Sequence, residues 1–326
     1  MLGYRRIGQS GPEVSEMCVG SYHTYDRMEF EEVVEFLKVA VGAGINFFDV
    51  GHYTSAAHPD VPVSRTDVIF GKAKKAAGLR RSEYVHTQKL WYGGTRPSFA
   101  QQLDASLPRS GVEMADIVVV NPASAYYFAT EVDIPNLVRE LAVLISWGRI
   151  RSYGLNMLSA EHIALAWSTA EEENLPGPAL IQIPYSISQR YFAEDPRLLE
   201  IIGDGRTTLE PTNLLETGVL AGRSASEGRE RPLGAVNPVQ DAQAAMGAVA
   251  GVAETFECTS AQLALAFGLC HPLTSSVLFG ASSIAQLREN LGAADLYHEV
   301  GARAISGAVR DIPHDMTVRK VTDVSQ

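Results

Sequence analysis

The feature that most constrains this chain is an alternation. Short apolar runs rich in β-branched residues recur along it, and each gives way to a longer stretch with helical period. The clearest runs are Phe47–Val50, Tyr84–Leu90, Ile117–Asn121, Ile150–Leu155, Leu180–Tyr185 and Ser276–Gly280, with weaker ones at Glu16–Gly20 and Thr207–Thr212. Between them, Val33, Phe36, Leu37, Ala40 and Val41 fall at the spacing of one helical face. Further helical patterns cover Thr66–Ala77, Phe99–Ser110, Asp133–Trp147, Ser159–Glu173, Asp241–Phe256 and Ile284–Ala294, with Ser159 placed to cap its helix through its hydroxyl. Strands that alternate with helices pair in parallel, because parallel neighbours need a crossover. Eight such units in 326 residues predict a (β/α)8 TIM barrel. An open doubly wound sheet would put a Gly-rich phosphate turn after its first strand, and no GxGxxG follows Val19. One domain is expected, with an N-terminal capping segment (1–15) and a C-terminal tail (about 297–326).

Composition narrows the function. Net charge is −11, and no basic cluster suits a nucleic-acid backbone. No apolar run approaches the roughly 18–20 residues of a membrane-spanning helix. Cys18, Cys258 and Cys270 lie far apart, without a CxxC, and read as reduced thiols of a cytoplasmic protein.

In a barrel, chemistry gathers at the C-terminal ends of the strands. Those ends carry Asp49 to Tyr53, Lys89 to Tyr92, Asn121, Asn156, Gln182 to Tyr185, Thr212 to Asn213 and Gly280 to Ser282. Asp49, Tyr53 and Lys89 make a chemically coherent trio. A phenol is a weak acid, with an unperturbed pKa of about 10. A lysine ammonium beside it favours the phenolate, and a carboxylate can hold that ammonium in a buried place. Such a trio makes a proton donor for a carbonyl that is accepting hydride. The same residues read equally well as a structural ion pair closing a barrel, with a rim aromatic above it. Trp91, Tyr92 and Tyr22 are candidates for an aromatic wall, and His52 is a rival proton donor. Glu210, if inward, needs a Lys or Arg to meet it.

Ile45-Asn46-Phe47-Phe48-Asp49, with Tyr53 following, resembles the second-strand motif of the aldo-keto reductase superfamily. Tyr4-Arg5-Arg6-Ile7-Gly8, Thr87-Gln88-Lys89, Trp147-Gly148-Arg149-Ile150-Arg151 and Gly280-Ala281-Ser282-Ser283 agree in order, over about residues 3 to 300. The run Lys89 to Gly94 and Asn121 are most similar to the branch holding the potassium-channel β-subunits.

The resemblance implies a catalytic set of Asp49, Tyr53, Lys89 and Asn121, the last standing where His is usual. It implies NADP as cofactor, with the nicotinamide carboxamide held by Asn156 and Gln182. Arg223, Gly280, Ser282, Gln286, Glu289 and Asn290 would hold the adenosine and phosphate end. Tyr53 follows Asp49 by four residues where five is usual. Met157 follows Asn156 where the family's pattern pairs Ser with Asn. Thr212-Asn213-Leu214-Leu215 lacks the aromatic that stacks on the nicotinamide. The expected activity is NADP(H)-dependent reduction of an aldehyde or ketone of a small molecule, with no nucleic-acid or membrane partner. Two alternatives are a redox-neutral dehydratase or isomerase on the same barrel, and a nucleotide-sensing regulatory protein with little turnover.

Overall fold

A computed structural model describes residues 2–53, 64–93, 96–122, 132–222 and 239–315. The chain opens with an antiparallel hairpin, β1 (Tyr4–Arg6) and β2 (Glu13–Ser15). Eight parallel strands follow: β3 (Met17–Gly20), β4 (Phe47–Val50), β5 (Val85–Tyr92), β6 (Ala115–Pro122), β7 (Ile150–Asn156), β8 (Leu180–Pro184), β9 (Thr208–Thr212) and β10 (Val277–Phe279). They lie in the order β10-β3-β4-β5-β6-β7-β8-β9. The two ends of that series meet just before β10. There Leu209 N donates to Leu273 O (2.8 Å), Ser275 N donates to Leu209 O (2.9 Å), and Leu209 bridges Thr274 in parallel. The fold is the (β/α)8 barrel expected from the alternation.

Helices α1 (Phe30–Gly42), α2 (Thr66–Ala76), α3 (Phe99–Ser110), α4 (Ile134–Ser146), α5 (Ala160–Glu172) and α6 (Pro196–Ile202) each return the chain to the next strand. After β9 come α7 (Val239–Thr255) and α8 (Ser260–Leu269), and after β10 come α9 (Ile284–Val300) and α10 (Ala302–Ala308). The apolar stripe of α1 is buried as its spacing predicts. Ser159 caps α5, accepting from His162 N. Among the described residues, no helix is long and apolar enough to cross a membrane.

Two helices within the barrel's run of units lie outside the expected set, for opposite reasons. The seven residues of α6 are too few to display a period. Helix α8 is apolar all round, with Leu263 to Leu269 all buried, so it has no polar face to mark its rotation.

The barrel interior is layered. Its floor is apolar: Cys18, Phe47, Ile117, Val119 and Leu180 pack together with Ile7 and Val14 of the hairpin, which plugs the N-terminal ends of the strands. Strand alternation then sends the next inward residues up the same walls, and these are polar.

Candidate active site

On β4, Phe47 belongs to the inner cluster, whereas Phe48 and Val50 belong to the outer core between strands and helices. Asp49 therefore shares the inner face with Phe47. On β5, Leu90 and Tyr92 pack in the outer core, so Lys89 and Trp91 take the inner face. Tyr92 is thereby removed from the aromatic wall suggested by its position; burial pushes its phenol above the ordinary value.

Both members of the inner pair are almost fully buried, and Lys89 Nζ lies 2.9 Å from Asp49 Oδ2. Lys89 also donates to Gln182 Oε1. Gln182 Nε2 in turn donates to Glu210 Oε2 (2.6 Å) and lies 3.4 Å from Asp49 Oδ2. Parallel register explains the meeting: Asn156, Gln182 and Glu210 are partners across β7, β8 and β9. Glu210 is thus inward, as feared from the sequence, and fully buried. Gln182 links it to the cation. Desolvation first, and then the Asp49 charge, push the Glu210 carboxyl up to about 7, with Lys89 opposing.

Asn121 ends β6 at the same level. Its Nδ2 donates to Val119 O (2.9 Å) and Leu90 O (3.4 Å), while its Oδ1 accepts from Asn156 Nδ2 (2.5 Å). Both amide hydrogens of Asn121 are directed at main-chain carbonyls, so what it presents to the mouth is Asn156, whose own Oδ1 has no partner among the described residues.

Tyr53 lies three residues past the end of β4 and is 6% exposed. Its ring sits edge-on to Tyr22 (4.9 Å between centroids) and to Trp91 (6.1 Å). Gly51 is the residue that lets it return over the barrel. A Cβ on Gly51, which continues the inward row above Asp49, would stand 2.3 Å from Tyr53 Cζ and 2.5 Å from its Oη. The phenol therefore fills the space of the missing side chain, and the four-residue spacing from Asp49 is absorbed by this fold-back. Ser21 holds the turn: its N donates to Asp49 O (2.9 Å), and its Oγ accepts from Gly51 N (3.1 Å). Sequence reasoning passed over Gly51, although a glycine directly after a strand and two residues before a tyrosine was the available signal. His52, half-buried, falls on the other side of the chain. It lies in the field of Asp67 and Arg109, and burial lowers its pKa. Arg109 grips Asp67 with two hydrogen bonds, 2.6 and 2.9 Å.

The residues assigned to the adenosine and phosphate end lie together at the start of α9 and in the loop before it. Ser283 caps the helix, accepting from Gln286 N (3.2 Å), and Gln286 Oε1 accepts from Ser282 N (2.9 Å) and Ser282 Oγ (3.2 Å). Gly280 directly follows β10, and Glu289 is exposed, its main-chain oxygen accepting from Gln262. Asn290 is buried, and its side-chain amide has no partner among the described residues. Arg223 and Gly94 lie outside the described residues, as does most of the loop expected at 223–240. Thr212 ends β9, its main-chain oxygen accepting from Tyr185 N (3.1 Å), and Asn213 and Glu216 take left-handed backbone (φ 57° and 46°). Glu216 is buried, accepting from Ser186 Oγ (2.6 Å) and Asn213 Nδ2 (2.8 Å).

An inward Asp–Lys pair beneath a folded-back tyrosine, at the C-terminal mouth of a parallel barrel, is an arrangement that can acidify a phenol. Known proteins agree with the whole-chain pattern. The sequence model of the Aldo/keto reductase family matches residues 16–300. A probable voltage-gated potassium channel subunit beta from Oryza sativa subsp. japonica is 28% identical over 316 residues, covering 90% of this chain and 92% of that one. The chain belongs to the aldo/keto reductase family.

Proposed function

We propose that this protein reduces a carbonyl, an aldehyde or ketone of a small molecule, with NADP(H) as cofactor and Tyr53 as the proton donor. The observation that carries this reading is the Tyr53 phenol folded back against Gly51, two residues beyond Asp49 on the same strand end, together with the buried Lys89–Asp49 ion pair. The residues fit the dinucleotide on two observations. Asn290, on α9, makes no side-chain hydrogen bond among the described residues, and Asn156 keeps a half-buried carbonyl oxygen open at the mouth. Asn290, Ser282 and Gln286 would hold the adenosine and phosphate end at the start of α9, where free N–H groups and the helix dipole favour anions. Asn156 and Gln182 would hold the carboxamide.

When bound, the dinucleotide supplies the hydride. The chain supplies the rest. Tyr53 Oη gives its proton to the carbonyl oxygen as negative charge develops there. The Lys89 ammonium stabilises the phenolate left behind, and Asp49 pairs with that ammonium in a buried place. Asn121 acts at one remove, fixing Asn156. Tyr22 and Trp91 flank the phenol and exclude water from it.

The test is to follow NADPH absorbance with a panel of aldehydes and ketones. Consumption that is abolished in Tyr53→Phe supports the reading. No consumption with any carbonyl refutes the reductase, and full activity in Tyr53→Phe refutes the donor. The name of the rice relative favours a second reading, a nucleotide-binding regulatory protein with little turnover. Tight NADPH binding without consumption would select it. A redox-neutral acid–base enzyme is less well supported, because Glu210, the carboxyl it would use, is sealed inside the barrel.

A further inference from the structure

Glu210 takes no part in the chemistry above, yet it sits in the most constrained part of the molecule. Among the described residues, the polar layer of the barrel interior holds two carboxylates, Asp49 and Glu210, against one ammonium, Lys89. The hydrogen bonds of Gln182 bring the carboxylates to within about 6 Å of each other. The charged and titratable groups facing Glu210 are Cys18 from β3, Asp49 from β4 and Lys89 from β5; β8 offers the neutral Gln182. Apart from the Cys18 thiol, a weak donor at its side, Glu210 Oε1 has no hydrogen-bond partner among the described residues.

Gln182 is the hinge of this cluster. An amide side chain can be turned end for end with little change of shape. Its orientation is decided by what stands on either side. Lys89 can only donate, so it needs the carbonyl end. Glu210 Oε2 accepts and takes the amide end. Without an acceptor at 210, the amide end keeps only the long 3.4 Å contact to Asp49 Oδ2, and the orientation of Gln182 is less firmly held.

We propose that Glu210 is a positioning residue for the Asp49–Lys89–Tyr53 centre, holding Gln182 with its carbonyl toward the Lys89 ammonium. This rests on the reading of Tyr53 as proton donor. It has an electrostatic corollary. A second carboxylate without a second cation keeps its proton to near neutrality. Once ionised, Glu210 shares the field of Lys89 and makes the Tyr53 phenol harder to ionise.

Two variants separate orientation from charge. Glu210→Gln keeps the acceptor and cannot ionise; Glu210→Leu removes both. The primary readout needs no substrate: the ultraviolet difference spectrum of tyrosinate, with Tyr53 identified by subtracting Tyr53→Phe. In Glu210→Gln, Tyr53 should ionise about tenfold more readily at a given alkaline pH than in the wild type. Where carbonyl reduction is measurable, Glu210→Gln should keep the plateau kcat and lose the step near neutrality. Glu210→Leu should lower kcat about tenfold or more at every pH. Identical Tyr53 titrations in Glu210→Leu and Glu210→Gln overturn the proposal, since the acceptor at 210 is what separates them, and identical titrations in wild type and Glu210→Gln overturn its electrostatic corollary. So does the absence, in infrared difference spectra of the wild type between about pH 5 and 9, of a protonated carboxyl that ionises. This second measurement needs no variant to fold. Neither depends on turnover, so a failed reductase assay leaves both readable.

Discussion

Gly51→Ala is the substitution that probes the site most directly, because it adds one methyl group where the phenol lies. The new Cβ would stand 2.3 Å from Tyr53 Cζ and 2.5 Å from Oη, whereas ordinary contact begins at 3.4 Å. The ring tip must move by more than about 1 Å, and a misplacement of that size at a reacting group is worth on the order of 100-fold in rate. That corresponds to about 2.7 kcal/mol of barrier. The backbone itself accepts alanine, since Gly51 is not among the residues with left-handed φ. Restricting the unfolded chain by Gly→Ala returns about 0.4–1 kcal/mol of stability. Loosening the edge contacts of Tyr53 with Tyr22 and Trp91 removes about 1–2 kcal/mol. The net should stay within about 2 kcal/mol, which for a chain of this length is a change in Tm of about 3 °C. The assay is steady-state NADPH oxidation beside a thermal melt. A fall in kcat of about 100-fold with a nearly unchanged melt is the expected pair of results. The double variant with Tyr53→Phe should be no slower than Tyr53→Phe alone, since both act through one group. Unchanged kcat in Gly51→Ala would refute the placement of the phenol as the proton donor.

Three other outcomes follow from buried groups. The Glu210 carboxyl is pushed up to about 7 in the folded chain from an ordinary 4.5. The fold therefore binds that proton more tightly than the unfolded chain. Its favourable share of stability is complete below about pH 4.5 and is lost as pH rises through 7. Urea unfolding should show Glu210→Gln gaining about 3 kcal/mol on the wild type between pH 4.5 and 8. His86 behaves in the opposite sense. Desolvation against Phe70 lowers it to about 3, so the fold prefers it neutral, and stability present above about pH 6.5 is lost as pH falls. His86→Phe should be the more acid-resistant protein, by about 3 kcal/mol at pH 4 in chemical unfolding. Asn290→Ala removes an amide that makes no hydrogen bond among the described residues. Its melt should therefore match the wild type, while the NADPH Kd by fluorescence titration rises about fivefold or more.

The architecture was legible in the sequence because each barrel unit repeats the same two periods, and register then carries single residues to their places. The inner position of Asp49 needs only the alternation of Phe47, Phe48 and Asp49 within one buried strand. That Lys89 and Gln182 face it follows from the same count on β5 and β8. What the sequence could not supply is how side chains share partners. Asn121 joins the catalytic set that the resemblance implies, but its two hydrogens are taken by the carbonyls of Leu90 and Val119. Tyr92 reads as a rim aromatic, but one residue of register turns it into the outer core. The fold-back of Tyr53 depends on a loop, and loops carry no period from which a direction could be counted.

Glu210 shows where these two kinds of legibility meet. Its inward direction follows from the register of Asn156, Gln182 and Glu210, which is a matter of counting. An inward carboxylate in a barrel is expensive, so the count alone predicts that a cation must stand close by. The cation that does so, Lys89, is already committed to Asp49, and the structure places Gln182 between the two claims. One neutral amide thereby satisfies a donor on one side and an acceptor on the other, which no second lysine could do. The same amide is a residue the family resemblance assigns to the nicotinamide. A charge buried in β9 is thus coupled, through a single side chain, to both halves of the proposed reaction: the phenol that gives the proton and the clamp that would hold the hydride donor.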